Sequence, residues 1–564
     1  MQAAGLSNDY RTRSLPTEEA HEEAAEGCSS FFKVLRVEYA KFFSMTFLYF
    51  CIVLAYSILR DTKDAVVISR MLPASIQYLK SFIVIAVTMI FAVFFQYLLS
   101  KGITLEKIMF ALNIGFGVFF LIYAFVLLPT VNYIEPYHFW INDMFSDKKM
   151  FVVGLEFLKG LLLTANFWTG TLLYITAELW GNVMTSLMFF AIANEICPLR
   201  QALRFYPFFI MAANFGLMTS GGLMVGNSYL LDWFPERQML IVGILIFCVS
   251  CICVVNIFTY RYLVTNIIPY PIYILSENQR RKAKKEKVGM LDGFKVMLKT
   301  PIVFHLSMTV LGYGICTNLT ESSYKSSMLI SSLKSSSSAM TVVMRTQGMQ
   351  QVVIGACVIA VLLTPLKRLI QKKGWLALGM ITPVCTMVSA LVFLLFIWSN
   401  VSAAAVGKNA ENILIRVGKP LFATIGMGGY PSIEIWIGFF AVNTIKILKY
   451  AAFDICKEAI GVKIPKQYQA RFKGVYDGVF GKLGKAFASN MQIFLLFLFN
   501  TSDIRTASPI LATAVAIVAV TWCFSTLYLG GKYDEAIRED RDIHIGEIAD
   551  KSQAQKEKEL AAAQ

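Results

Sequence analysis

The sequence predicts an all-α polytopic membrane protein, with twelve transmembrane helices in two six-helix bundles. Three observations carry that prediction. Hydrophobic residues are 56% of the 564-residue chain and charged residues 16%, against roughly 45–50% and 25% in a soluble domain. Apolar runs of about 20 residues, the length that crosses a bilayer, recur along the chain. Lys and Arg cluster in alternate connections between the runs, as the positive-inside rule requires.

The first six runs are Phe42–Leu59, Leu79–Leu99, Ile108–Leu128, Asn166–Ile196, Phe205–Val225 and Met239–Tyr262. The second six are Pro301–Leu319 (running on toward Leu329), Met340–Leu363, Trp375–Trp398, Ile433–Lys457, Lys473–Phe499 and Pro509–Leu529. The apolar stretch Phe151–Ala165 is interrupted by Glu156 and Lys159 and reads as an interfacial segment, with a thirteenth span as the alternative.

The loop 263–300 holds eight Lys and Arg between Arg280 and Lys299; Lys367, Arg368, Lys372 and Lys373 follow span eight, and Lys463, Lys466, Arg471 and Lys473 follow span ten. If the spans alternate, all three loops face the cytoplasm, and both termini join them. The expected layout is an acidic tail over 1–41, a first bundle over 42–262, a basic linker over 263–300, a second bundle over 301–530 and a charged tail over 531–564. The acidic start, with Glu18, Glu19, Glu22, Glu23 and Glu26, argues against a transit peptide.

The charge balance is +15 and the isoelectric point near 9.2. Because the excess sits in short clusters between apolar runs, it speaks for topology and against nucleic-acid binding. The eleven Cys, read as scattered without a C-x-x-C pair, and the four isolated His are taken as packing residues, with no metal site and no cofactor expected.

Ionisable groups at bilayer depth cost several kcal/mol and commonly mark a pathway or a partner. Span one ends in Arg60-Asp61-Thr62-Lys63-Asp64, span four carries Glu178, span seven carries Glu321 and Lys325, and span ten carries Lys446, Lys449, Asp454 and Lys457. Spans two and six read as charge-free within their apolar cores. Every third span is therefore charged, and in a major-facilitator-like plan those four spans line the central cavity. On span ten, Lys446, Lys449, Phe453 and Lys457 step by three, four and four residues, so they share one face. The functional reading is a polyanion site; the alternative is snorkelling to the interface, easy for Lys457 and hard for the deeper Lys446. For Arg60 and Lys63 the alternative is an interfacial anchor at the outer end of span one. For Glu178 and Glu321 the alternatives are lysine partners, proton carriers or structural ion pairs.

Span eleven contains Gly474–Lys485, whose glycines do not have phosphate-loop spacing and read better as a close helix contact. Its Lys482 and Lys485 remain secondary candidates for the cavity wall. Tyr56 and Tyr174 could stack on a flat base or simply pack. Asn182 and Asn194 are the nearest polar candidates for hydrogen bonds to such a base.

Several of these segments resemble the ATP/ADP transporters of plastids, obligate intracellular bacteria and microsporidia. They are Ile58-Leu-Arg-Asp-Thr-Lys-Asp64, Ala177-Glu-Leu-Trp-Gly-Asn182, Ala193-Asn-Glu-Ile196, Arg204-Phe-Tyr-Pro207, Tyr313-Gly with Asn318-Leu-Thr-Glu321, and Phe453-Asp-Ile-Cys-Lys-Glu458. The resemblance covers about residues 42–530 and points to a microsporidian member. It implies a twelve-helix secondary transporter, not an enzyme, exchanging ATP for ADP. The family's essential charged positions fall on Lys63, Glu178, Glu321 and Lys457.

The resulting expectation is alternating access around one central site, with host ATP imported into a parasite. Arg60, Lys63, Lys446, Lys449 and Lys457 would neutralise the triphosphate, and this much positive charge is expected to oppose closure of an empty cavity. A proton-coupled symporter, or a carrier of a broader nucleotide set including GTP or NAD, is the alternative. A monomer in the cell membrane is expected, with the mitosome membrane as the alternative location.

Overall fold

The computed structural model describes residues 34, 38–135, 155–197, 199–267, 300–364, 374–404, 413–414, 416–417, 420–421, 431–464, 472–539 and 543. The basic residues 280–299, those after span eight, Lys466, Arg471 and most of both tails lie outside the described residues. Within the described residues the chain is helical, with no strand.

Helix α1 spans Tyr39–Arg70, and α2 runs from Pro73–Tyr78 through π-helical turns at Leu79–Val84 into Ile85–Ser100. Helix α3 is Leu105–Ile122, continued by Tyr123–Leu127. Helix α4 comprises Trp168–Trp180, a π-helical stretch Gly181–Met188, and Phe189–Ile196. Helices α5 (Leu199–Trp233) and α6 (Gln238–Tyr262) complete the first half of the chain. The second half holds α7 (Pro301–Leu333), α8 (Ala339–Leu363) and α9 (Trp375–Ala404). Then come α10 (Pro431–Leu448, π-helical Lys449–Phe453, Asp454–Lys463), α11 (Gly474–Phe480 and Gly481–Leu498) and α12 (Ser508–Arg538).

Eleven of the described helices are long and apolar enough to cross a membrane. The rod α11, with Asp477, Lys482 and Lys485, is not among them, so length and composition do not establish the expected count of twelve. The segment before α4 is a short turn, Glu156–Leu158, and the eight-residue helix Lys159–Asn166. At 1.5 Å per residue that helix rises only about 12 Å, too little to span.

Helix α1 departs most from expectation. It does not end near Leu59: its 32 residues continue to Arg70, about 48 Å of helix against a hydrocarbon core of about 30 Å. Ala65–Ile68 keep the run apolar and buried. Asp61, Lys63 and Asp64 are only 2–3% exposed, so they stand inside the bundle rather than at an interface.

Helix α1 packs on α4, α5 and α6, and α3 packs on α6; in the second half α7 packs on α10, α11 and α12, and α9 on α10 and α12. The halves meet where α5 lies along α8, where α1 touches α8, and where α2 reaches α7 and α11. The α5–α8 crossing is close because both helices offer glycine: a Cβ on Gly221 would stand 2.5 Å from the Gly348 carbonyl oxygen, and one on Gly348 2.8 Å from that of Gly221. In α11, Gly484 lies against Leu311 and Gly314 of α7, the helix contact expected of this segment, whereas a Cβ on Gly474 or Gly478 would meet nothing within 4 Å. Apolar side chains on the outside, such as Ile90 and Val93 of α2, are 69% and 70% exposed, as a lipid-facing surface requires.

The cysteine reading needs one correction. Cys248 and Cys251 of α6 do have C-x-x-C spacing, but both lie exposed on the helix. Among the described residues no cluster of His, Cys, Asp or Glu could hold a metal.

Candidate functional site

The charged residues of α1, α4, α7 and α10 converge. Lys63 Nζ is 3.0 Å from Asp64 Oδ1 and 2.9 Å from Glu178 Oε1 of α4. The other oxygen of Asp64 is 2.7 Å from Lys325 Nζ of α7. Lys325 is 3.7 Å from Glu321, and Glu321 is 3.3 Å from Lys446 of α10. Arg60 pairs with Asp61 at 3.2 Å, and Asp61 also accepts a hydrogen bond from Gln351 of α8. The chain of contacts therefore runs from one half of the molecule to the other through paired charges.

Burial divides this cluster into two layers. The side chains of Lys63, Asp64, Lys325 and Asp61 are 2–5% exposed and form the floor. Arg60, Glu178, Glu321 and Lys446 are 19–30% exposed, so water reaches them from above the floor. Tyr174 is fully buried, and its ring centroid lies 3.7 Å from Lys63 Nζ. It carries the lysine by a cation–π contact and offers no face to a base. Tyr56, half-buried, lies under Arg60 at 5.9 Å.

A second cluster sits farther along α10. Asp454 lies 3.8 Å from Lys449 and 3.3 Å from Lys457, and Lys457 reaches Asp477 of α11 at 2.7 Å. Lys449 also stands over Tyr450 at 4.6 Å and Tyr313 at 5.8 Å. The expectation that Lys446 shares one face with Lys449 and Lys457 fails here. The π-helical turns Lys449–Phe453 break the 3.6-residue register, and Lys446 turns to Glu321 while the other two converge on Asp454. All five cations assigned to the triphosphate have a carboxylate within 4 Å. An uncompensated positive cavity is therefore not what the fold presents.

The remaining candidates separate. Asn182 lies one turn beyond Glu178 in the π-helical stretch of α4, half-buried and with no hydrogen-bond partner among the described residues. Asn194 is exposed and accepts the Tyr206 hydroxyl at 2.5 Å, a contact within the first half. Lys482 and Lys485 are exposed on α11, outside both clusters. Two basic residues inside the spans escaped the sequence reading. Lys80 stands one residue into the second apolar run and donates to Asn318 Oδ1 of α7 at 3.4 Å. Arg345 of α8 bonds Asp232 Oδ2 of α5 at 2.5 Å and Ser228 Oγ at 3.2 Å. Lys80 looked like a span boundary and Arg345 lay in an otherwise apolar run, so the every-third-span pattern is incomplete. Gln351 carried no charge to mark it.

The contacts Lys325–Asp64, Gln351–Asp61, Lys80–Asn318 and Arg345–Asp232 share a location. They fall toward the end where α1, α5 and α7 finish and α2 and α8 begin, Arg345–Asp232 nearest that end and Asn318 and Gln351 at the middles of α7 and α8. The halves are thus clasped at that end, while partly exposed Lys449, Tyr450 and Asp454 lie toward the other.

A helical membrane protein whose halves meet over a half-hydrated, charge-paired site, clasped at one end, is built as a secondary transporter. Residues 17–533 match the family described as TLC ATP/ADP transporter, and the chain belongs to that family. It is 35% identical over 537 residues to the ADP,ATP carrier protein 1 of Paranosema grylli, covering 94% of this chain and 95% of the relative. Against the ADP,ATP carrier protein 1 of Encephalitozoon cuniculi the identity is 32%, with 96% and 95% covered. A bacterial relative, the ADP,ATP carrier protein 1 of Chlamydia pneumoniae, is 27% identical, with 87% and 91% covered.

Proposed function

We propose that the protein exchanges ATP for ADP across a membrane by alternating access, with the central cluster as the phosphate site. The observation that carries the reading is the lysine–carboxylate chain from Glu178 through Lys63, Asp64, Lys325 and Glu321 to Lys446. Its members come from both halves, so one ligand bound there touches both.

The phosphates of a nucleotide are polyanionic and compete with carboxylates for ammonium groups. Glu178 and Glu321, each partly hydrated, are the carboxylates a phosphate can displace from Lys63 and Lys446. Asp64 and Asp61, deeper, stay to neutralise the floor. Phosphate that takes Lys63 and Lys446 from Glu178 and Glu321 must make contacts strong enough to offset the loss of those pairs at bilayer depth. With nothing bound, the pairs hold α1 to α4 and α7 to α10, so the helices are loosened only when cargo binds, which favours exchange over leak. Lys449, Asp454 and Lys457 form a staging point along α10, where Tyr313 and Tyr450 present aromatic surface for the base.

Residues 42–262 and 301–530 are the two moving bundles, and the packing of α1 on α4, α5 and α6 and of α7 on α10, α11 and α12 supports the division. With the basic connections on the cytoplasmic side, the clasped end faces outward and the cavity opens inward. The protein acts as a monomer in the cell membrane, bringing host ATP into a parasite's cytoplasm.

Purified protein in liposomes, empty or preloaded with ADP, tests this with labelled ATP. Uptake only into preloaded vesicles is the expected outcome. Equal uptake into both would replace exchange by uniport or symport.

A further inference from the structure

The central cluster holds five cations, Arg60, Lys63, Lys80, Lys325 and Lys446, and four carboxylates, Asp61, Asp64, Glu178 and Glu321. Four of the cations have a carboxylate within 4 Å. Lys80 has none among the described residues, and its hydrogen bond is the long one, 3.4 Å, to the Asn318 amide oxygen. It is half-buried, about 10 Å along α2 from Pro73 at 1.5 Å per residue; Lys325 and Lys63 are near enough to repel it, and Glu321 and Asp64 attract it only from beyond ion-pair distance.

Its placement is built. The π-helical turns Leu79–Val84 set the facing of this part of α2. On the other side, the Asn318 amide nitrogen donates to the Lys485 carbonyl and to Ser489 Oγ of α11, both at 2.9 Å. Both amide hydrogens are thus committed to α11, which leaves the amide oxygen turned to Lys80. A neutral carbonyl satisfies one of the three ammonium hydrogens and none of the charge. An ammonium left without a counter-ion at this depth is costly unless something anionic visits.

Building on the phosphate-site reading above, we propose that Lys80 is a phosphate-binding residue of the transport cycle, with Asn318 its resting partner. The polyphosphate chain of the nucleotide supplies the counter-ion that the protein withholds. Because Asn318 belongs to α7 and Lys80 to α2, the exchange of amide for phosphate also releases one tie between the halves.

Binding of ATP and AMP to the purified full-length protein is measured by calorimetry, together with its melting temperature. Lys80→Gln is expected to weaken ATP at least tenfold and AMP less than threefold. Its melting temperature should hold or rise, because like-charge repulsion is relieved. Asn318→Asp keeps the lysine but pairs it internally, and is expected to weaken ATP comparably; Lys80→Arg should restore most of the affinity. Wild-type affinity for ATP in Lys80→Gln would overturn the proposal. So would a melting temperature several degrees lower in Lys80→Gln with no recovery in Lys80→Arg, since that marks a structural tether. If the wild-type protein binds no adenine nucleotide at all, it is the exchange reading that falls.

Discussion

The central cluster and the α10 cluster are made of the same side chains, lysine and carboxylate, yet they are constructed differently. In the central floor, Lys63, Asp64 and Lys325 are 2–5% exposed, and the Asp64–Lys325 pair joins the two halves of the chain. Around Asp454, the charges are 11–30% exposed and all belong to α10 and α11. Removing one member of a buried pair leaves an uncompensated charge and costs about 3–5 kcal/mol, whereas pairs open to water are worth about 0–1 kcal/mol. The same chemistry therefore braces the two halves from within in the central floor and stays open to water along α10. A similar buried brace stands apart from both: Glu434 accepts from Ser327, Asn400 and Arg505.

The sharpest break is Lys63→Glu. It sets a third carboxylate beside Asp64 and Glu178 and should abolish ATP/ADP exchange, at least 100-fold, with a lower melting temperature. Normal exchange in that variant would remove Lys63 from the site. Next is Asp64→Asn, which takes the 2.7 Å partner from Lys325 and leaves it only the longer 3.7 Å contact with Glu321; exchange should fall about 30-fold or more, with a clear loss of thermal stability. Adding Lys325→Gln removes the under-compensated charge, so the double variant should regain stability even if transport stays slow. No recovery in the double variant would mean that the two residues are not coupled.

The α10 cluster should separate transport from stability. Lys457→Gln is expected to slow exchange about tenfold while the melting temperature moves by no more than a degree or two. A large loss of stability there would erase the distinction between the clusters. The smallest effect belongs to the clasp. Asp232 and Arg345 are each 29% exposed, so Asp232→Asn should cost about 1 kcal/mol or less. A shift of up to about fivefold toward the state open at that end follows, read as faster labelling of a cysteine introduced at Ser57, which is buried in the α1–α8 seam beside Gln351.

Membrane class, and most of the charged positions that the packed helices bring together, were legible without coordinates, for one reason. In a solvent of hydrocarbon, a charge in an apolar run is too costly to be incidental. Lys63, Glu178, Glu321, Lys325 and Lys446 stand out on that ground alone. The same logic passed over Lys80, which imitates a span boundary, and Gln351, which has no charge. It also placed Arg60–Asp64 at a helix end, because nothing local reveals that Asp61 and Asp64 meet Gln351 and Lys325, which lie 290 and 261 residues away.

What the amino-acid sequence determined was which groups must be sheltered from lipid. Hydropathy and side-chain charge are properties of each residue, and they are written position by position. What only the tertiary structure decided was which charge answers which. Pairing depends on the crossing of α1 with α7 and α8, on the π-helical turns that part Lys446 from Lys449, and on the amide of Asn318 turned toward Lys80. Those are distances of 3–4 Å between remote segments, and they exist only once the helices have packed.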